Sequence, residues 1–405
     1  MKIVTEKTIT DIKNIKAAGF ISGLKKSGKK DFAIIYSEKE AVAAATFTKN
    51  KVKAAPVLMD MEHIKSENTQ AIVINSGNAN ACNGAQGLED AKTMAKEAAT
   101  ILNLKPEEVL VSSTGRIGVP MPMDIIKAGI VKGCAELSYQ GGGDAAEAIM
   151  TTDTFPKSIF VETEIGGKVV SIGAIAKGSG MIHPDMGTML GFIVTDVNIS
   201  KELLSKALKA TVNDSYNMVS VDGDTSTNDT VIVLANGAAE NTKITEENED
   251  YLKFKEALEF VNKDLAKKIA KDGEGATRLI QCEIHNAASD LDARTCAKSV
   301  ITSSLVKAAF FGGDANWGRI MCSLGYSGAN LDPNKIDIGF VDGDRVVKIV
   351  ENGFETNFDK EEVHQIILRD EVYIDIDLKD GKAGAVAWGC DLTYGYVEIN
   401  GTYEL

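Results

Sequence analysis

The segment Ile159-Phe160-Val161-Glu162-Thr163-Glu164-Ile165-Gly166-Gly167-Lys168-Val169-Val170-Ser171-Ile172 reads as two half-buried strands folded back on a glycine pair. Alternating apolar and polar residues on both sides of a two-residue Gly-Gly loop are the pattern of an antiparallel hairpin. The same pattern returns further along. Ile336 to Val341 meets Asp342-Gly343 and comes back through Arg345 to Val350, and Ile374, Ile376 and Leu378 alternate with Asp375, Asp377 and Lys379 ahead of a turn at Asp380-Gly381. Ala71-Ile72-Val73-Ile74, Val109-Leu110-Val111 and Val231-Ile232-Val233-Leu234 are continuous apolar runs, expected as fully buried strands. Helical spacing appears in Tyr251, Phe254, Leu258, Val261, Leu265 and Ile269, with Gly273 expected to cap the end, and weaker stripes run over 88–102 and 201–212. Hairpins with helices interspersed, rather than strictly alternating, predict an α+β class: a layered α/β sandwich of sheets covered by helices.

At 405 residues the chain has enough length for one large or two ordinary domains with buried cores. Its 44% apolar and 25% charged residues are those of a globular protein, not a disordered one. A net charge of −14 argues against nucleic acid, whose phosphates call for a surplus of Lys and Arg. The first twenty residues hold no run long enough for a signal peptide and no stretch reaches membrane-spanning length, which predicts a cytoplasmic protein with no membrane partner. Six scattered cysteines without a C-x-x-C pair suit reduced thiols, and four histidines without ligand spacing give no indication of a metal.

Chemistry is expected in the loops that follow apolar strands. Glycine-rich stretches there suggest phosphate binding, but none has P-loop spacing or a full G-x-G-x-x-G after a strand. Thr114-Gly115, just past the strand at Val109, could bring a hydroxyl and a backbone N–H together as an oxyanion hole; the alternative is a tight turn. Gly187-Thr188 opens the apolar run Met189 to Val194, so Thr188 either begins a strand or attacks the preceding carbonyl and cuts the chain. A threonine freed in that way carries a nucleophilic hydroxyl and its own α-amine as base, with a pKa of roughly 7.7 to 8.0. His183 and Asp185 suggest a triad with Thr188, against which stands a loop fixed by Pro184. Asp222-Gly223-Asp224 with Asp229 hints at a calcium loop but lacks the expected glycine and glutamate positions, so a solvated turn is the better reading.

The run Lys177-Gly-Ser-Gly-Met-Ile-His-Pro-Asp-Met-Gly-Thr-Met-Leu190, followed by Thr195-Asp196, resembles the cleavage motif of the ornithine acetyltransferase (ArgJ) family. The resemblance extends over nearly the whole chain. It includes Ile74-Asn-Ser-Gly-Asn-Ala-Asn-Ala-Cys82, Ser113-Thr-Gly115 with Ile117-Gly118-Val119-Pro120, Thr152-Asp-Thr154, Asp222 to Asp229, Gly273-Glu-Gly-Ala-Thr277, Asn316-Trp-Gly-Arg-Ile320 and Gly389-Cys-Asp-Leu-Thr-Tyr394. It implies the self-processing ArgJ/DmpA-like fold shared with certain aminopeptidases. It also implies transfer of an acetyl group from N2-acetyl-L-ornithine to L-glutamate in arginine biosynthesis. No bound cofactor is implied; acetyl-CoA is a co-substrate of the bifunctional members, and the sequence leaves the one-reaction and two-reaction forms open. By the same resemblance the chain is cut between Gly187 and Thr188 into an α chain, residues 1–187, and a β chain, residues 188–405. The two make one intertwined fold and assemble as a heterotetramer with two of each. Thr188 matches the nucleophile, Thr114 and Gly115 the oxyanion hole, and Thr154, Lys177, Glu274 and Asn400 the substrate contacts. Lys177 would meet a carboxylate and Glu274 an ammonium; ordinary surface charge is the alternative for both.

Three positions depart from the family pattern: Asp185 stands in place of Asn, Gly187 in place of Ala, and Leu405 in place of a terminal hydroxyl residue. The first two adjoin the bond to be cut and bear on processing; the third cannot donate a hydrogen bond to substrate. Two rival readings are a self-cleaving aminopeptidase or amidohydrolase on the same type of fold, and a non-catalytic metabolite-binding or scaffolding descendant.

Overall fold

The computed structural model describes residues 1–183 and 189–401. Three sheets carry the architecture. The central one runs, strand by strand, Lys2–Ile3, Lys157–Ile165, Lys168–Lys177, Leu190–Thr195, Thr230–Ala235, Val42–Phe47. A four-stranded sheet has the order Ile15–Phe20, Phe32–Ser37, Ala71–Asn78, Val109–Arg116. A seven-stranded sheet has the order Val219–Ser220, Ala383–Cys390, Leu279–Ala287, Glu371–Asp377, Asp337–Asp342, Arg345–Glu351, Phe354–Glu355.

Side-chain alternation sets the layers. Phe160, Ile175, Phe192, Val194, Ile232 and Leu234 of the central sheet pack onto Ala17, Ala33, Ile35, Ile72 and Ile74 of the four-stranded sheet. The opposite face of the central sheet meets Leu204 and Leu208 from the helix Lys201–Asn213 and Phe254, Leu258 and Leu265 from the helix Glu249–Lys271. The outer face of the four-stranded sheet is covered by the helices Ala55–His63, Gly84–Leu102 and Met123–Ala135. Fully burying a side chain of this size contributes about 1.5–3 kcal/mol, so facing apolar sheet surfaces hold together once both are formed. This is the α+β, helix-covered sandwich expected from the hairpins. No helix among the described residues is long and apolar enough to cross a membrane.

The opening hairpin forms with Ile165 opposite Lys168, and Gly166 and Gly167 take φ of 56° and 71°, the left-handed pair a two-residue turn requires. The second hairpin turns one residue later than expected: Asp342 pairs with Arg345, leaving Gly343-Asp344 as the loop. At Asp380-Gly381 there is no hairpin. The strands on either side, Glu371–Asp377 and Ala383–Cys390, both pair with Leu279–Ala287, which lies between them. Alternation reports a strand but not its neighbour. The long helix starts on Asn248, whose side chain accepts from the Tyr251 N–H, and ends at Lys271. Gly273 does not take the left-handed conformation of a helix cap; a Cβ there would stand 2.7 Å from Cys390 Sγ, so close packing sets that glycine.

Candidate active site

One cavity of about 480 Å³ opens at the ends of three central strands. Its walls include Thr114, Gly115, Lys177, Glu274 and Asn400, five residues singled out from the sequence. Ile182 and Met189, the last wall residue before the undescribed stretch and the first after it, are both in the wall. Gly187, Thr188, Asp185 and Leu405 lie outside the described residues.

Packing of the two sandwich sheets brings these groups together. Lys177 is the last residue of its strand, 7% exposed, and its Nζ donates to Thr151 Oγ1 at 2.7 Å and to Thr114 Oγ1 at 3.5 Å. Its one carboxylate neighbour within ion-pair range among the described residues is Asp153, at 3.9 Å. Burial holds the Lys177 pKa below its usual value despite the pull of Asp153. Thr114 and Gly115 end the strand Val109–Arg116, where Gly115 pairs with Gly77 at φ of +130°. A Cβ on Gly115 would lie 2.4 Å from the Gly77 carbonyl carbon, so only glycine lets these backbones meet.

The Asn-rich end of the strand Ala71–Asn78, around Gly77, acts as bracing. Asn75 Oδ1 accepts from Ser113 Oγ at 2.6 Å, and Asn78 Nδ2 donates to Val119 O at 3.1 Å. Asn228 Nδ2 donates to Ala79 O at 2.6 Å and to Ser113 O at 2.8 Å, tying two loops and the strand Val109–Arg116 into one wall.

On the facing wall, Glu274 follows the end of the long helix. Its N–H donates to Ser179 O at 3.0 Å, and it is 6% exposed. Its carboxylate fits because Gly180 has no side chain: a Cβ there would be 2.3 Å away. Asn400, on the helix Tyr394–Gly401, donates from Nδ2 to Glu274 Oε2 at 2.7 Å. No Lys or Arg among the described residues forms an ion pair with Glu274. Burial of both Lys177 and Glu274 removes the reading of ordinary surface charge.

Thr154 stands apart from this wall. Its N–H donates to Asp272 Oδ2 at 3.0 Å and its hydroxyl to Asp272 Oδ1, while Thr151 and Thr152 of the same loop line the cavity instead. His183 is engaged by Ser220, Nδ1 to Oγ at 3.0 Å, and is not in the wall. Asp222 accepts from the N–H groups of Met181 at 2.6 Å and Ile182 at 2.9 Å, shaping the chain that enters the undescribed stretch.

Three wall residues escaped the reading of the sequence as functional groups. Thr151 precedes a matched motif and carries no pattern of its own. Asp229, expected in a solvated turn, is 2% exposed; its Oδ2 has no hydrogen-bond partner among the described residues, and burial raises its pKa well above the usual carboxylate range. Arg116 is exposed at the cavity, next to Gly115. A second cavity, of about 500 Å³, lies between Asp314, Trp317, Phe358 and His364 and shares no wall residue with the first.

The ArgJ family model matches residues 16–405. The chain belongs to the ArgJ family. Among its relatives, the arginine biosynthesis bifunctional protein ArgJ 1 of Clostridium acetobutylicum is 58% identical over 404 residues, covering 100% of this chain and 99% of that protein. The arginine biosynthesis bifunctional protein ArgJ of Caldanaerobacter subterraneus is 54% identical, covering 97% of each. The crystal structure of the arginine biosynthesis bifunctional protein of Bacillus halodurans is 47% identical with a TM-score of 0.51, covering 53% of this chain and 100% of that chain. As an ArgJ family member the chain is an acyltransferase of arginine biosynthesis. The family match spans all five sequence-selected residues in the cavity wall, from Thr114 to Asn400.

Proposed function

We propose that this acyltransferase carries the acetyl group of N2-acetyl-L-ornithine to L-glutamate through an ester on Thr188, freed by cleavage of the Gly187–Thr188 bond. The observation that carries the reading is the single cavity that holds Thr114, Gly115, Lys177, Glu274 and Asn400 and whose wall continues into Met189, the residue bonded to Thr188. Thr188 Oγ adds to the acetyl carbonyl carbon while its proton passes to the free α-amine of the same residue. Thr114 and Gly115 stabilise the oxyanion. The C–N bond breaks, the proton moves on to the departing ornithine nitrogen, and an acetyl ester remains. The neutral amine of glutamate then adds to the ester carbonyl carbon, the C–O bond to Thr188 breaks, and the proton lost by that nitrogen passes through the α-amine back to Thr188 Oγ, releasing N-acetylglutamate.

Charge supports the substrate class. N-acetylornithine carries one carboxylate and one ammonium, and the cavity offers the Lys177–Thr151 pair to the first and the Glu274–Asn400 pair to the second. Ionic hydrogen bonds of this kind are roughly twice as strong as neutral ones. For Thr154 the reading assigns support of the loop, through Asp272, in place of direct contact.

Cleavage would give the α chain 1–187 and the β chain 188–405, which stay together and pair into a heterotetramer acting in the cytoplasm. The relative lengths agree: the Bacillus halodurans chain aligns in full yet spans 53% of this one, and residues 188–405 are a little over half of 405. The relatives named bifunctional suggest acetyl-CoA as a second acetyl donor, with no bound cofactor.

Intact-mass measurement before and after adding N-acetylornithine tests the whole reading. Two fragments are expected, with one acetyl group gained on the 188–405 fragment, and Thr188→Ala should leave the chain whole and inactive. An uncut, fully active Thr188→Ala protein would overturn it. Release of acetate at the same rate with and without glutamate would turn the reading to a hydrolase of this fold.

A further inference from the structure

The six arginines of the chain divide sharply. Arg278 donates to the carbonyls of Phe310 and Phe311, Arg319 to that of Leu305, and Arg294, Arg345 and Arg369 hold Asp214 or Asp342. Arg116 is the one arginine whose side chain has no hydrogen-bond or ion-pair partner among the described residues. It is also the one in the wall of the cavity. Its backbone is fixed: Arg116 O accepts from the Ala79 N–H at 3.0 Å, and the residue closes the strand that presents Thr114 and Gly115. A guanidinium carried on a fixed backbone at the cavity, with no partner for its donors among the described residues, is suited to a planar anion.

The two amino-acid substrates of the proposed reaction differ at their far ends. N-acetylornithine ends in an ammonium; glutamate ends in a second carboxylate. If both placed their α-carboxylates on Lys177 and extended the same way, the second carboxylate of glutamate would run into the buried Glu274 carboxylate, which like charge opposes. The wall holds two cationic side chains among the described residues, Lys177 and Arg116, and one acid that pairs with the donor's ammonium. We propose that Arg116 takes the second carboxylate of glutamate, so that one cavity serves a cationic donor and a dianionic acceptor by turning their side chains to different walls. The inference rests on the ping-pong reading and names its acceptor-selective residue.

The acetyl-enzyme makes the test selective, because the same ester can be discharged by glutamate or, in the back-exchange reaction, by isotopically labelled ornithine. Arg116→Gln keeps length and polarity but removes the charge. With N-acetylornithine as donor, its kcat/KM for glutamate is expected to fall about 10- to 10²-fold relative to its kcat/KM for labelled ornithine, mostly through KM. Arg116→Lys, which retains charge without the fork, should recover part of the loss. An equal fall for both acceptors, or none for either, overturns the assignment. Acetyl-CoA distinguishes the other anion that could use this guanidinium: if Arg116→Gln weakens acetylation by acetyl-CoA and leaves glutamate untouched, the site serves a phosphate and the proposal fails. Failure of the ping-pong reading itself shows separately, as wild-type protein with no acetyl-enzyme.

Discussion

Lys157 and Lys177 are neighbours in space, at the open end of one hairpin where Lys157 pairs with Ala176, and both are buried. Their surroundings differ completely. Lys157 Nζ lies 2.7 Å from Asp153 Oδ1 and 2.5 Å from Asp272 Oδ2, with the Phe155 ring over it at 4.9 Å. Those carboxylates are in turn bound: Asp153 also accepts from the N–H groups of Thr151 and Gly178, and Asp272 from Thr154. Lys177 has hydroxyls for company, with Asp153 at the limit of ion-pair range. A buried charge with every partner in place organises structure. A buried charge left short of partners, and facing a cavity, is open to an anionic ligand.

Substitution of the satisfied lysine should have the largest effect. Lys157→Met leaves two buried carboxylates facing each other, and unfolding in denaturant should show a loss of about 3–5 kcal/mol. A loss below about 1 kcal/mol would mean that the network is not the brace of the site. Lys177→Met comes next and should separate function from stability. We expect kcat/KM for N-acetylornithine to fall about 10- to 10²-fold, with denaturation unchanged or shifted upward, since an underpaired buried charge is removed. Equal stability losses in the two variants would erase the distinction.

The smallest effect is in the response to acid. For Asp153, burial alone would raise the pKa, but Lys177 and Lys157 beside it hold it far below the usual carboxylate value of 3.8. Its folded pKa is therefore depressed, so its stabilisation is fully present above 3.8 and disappears as pH falls through the lower folded value. In Lys157→Met one counter-charge is gone and burial counts for more. The acid-unfolding midpoint followed by circular dichroism should then move to higher pH. A midpoint that stays where the wild type has it would place the acid sensitivity elsewhere.

Much of this was legible in the sequence because it is written locally. The hairpin at Gly166-Gly167, the helix over Glu249–Lys271 and the apolar strands all follow from periodicity and turn chemistry, which act within a few residues. The family resemblance located Thr114, Gly115, Lys177, Glu274 and Asn400, and the fold draws them into one cavity. The misreadings share one cause. Local pattern predicts a hairpin at Asp380-Gly381, a helix cap at Gly273 and a solvated loop at Asp229, and in each case a distant element decides otherwise. The strand Leu279–Ala287 inserts between Glu371–Asp377 and Ala383–Cys390, Cys390 packs against Gly273, and Asp229 is buried within the wall formed by residues 226–229.

The amino-acid sequence by itself determined which segments become strands and helices, the helix-covered sandwich class, and the residue types available for acyl transfer, because each of these depends on spacing along the chain. Tertiary structure alone decided that Lys157 has two carboxylates in close contact and Lys177 only a distant one, that Thr151 rather than Thr154 lines the cavity, and that Arg116 lines it with no side-chain partner among the described residues. Those outcomes depend on which side chains meet across sheets and loops more than a hundred residues apart, such as Asp272 with Thr154, and on burial, which turns a nominal charge into either a brace or a binding site.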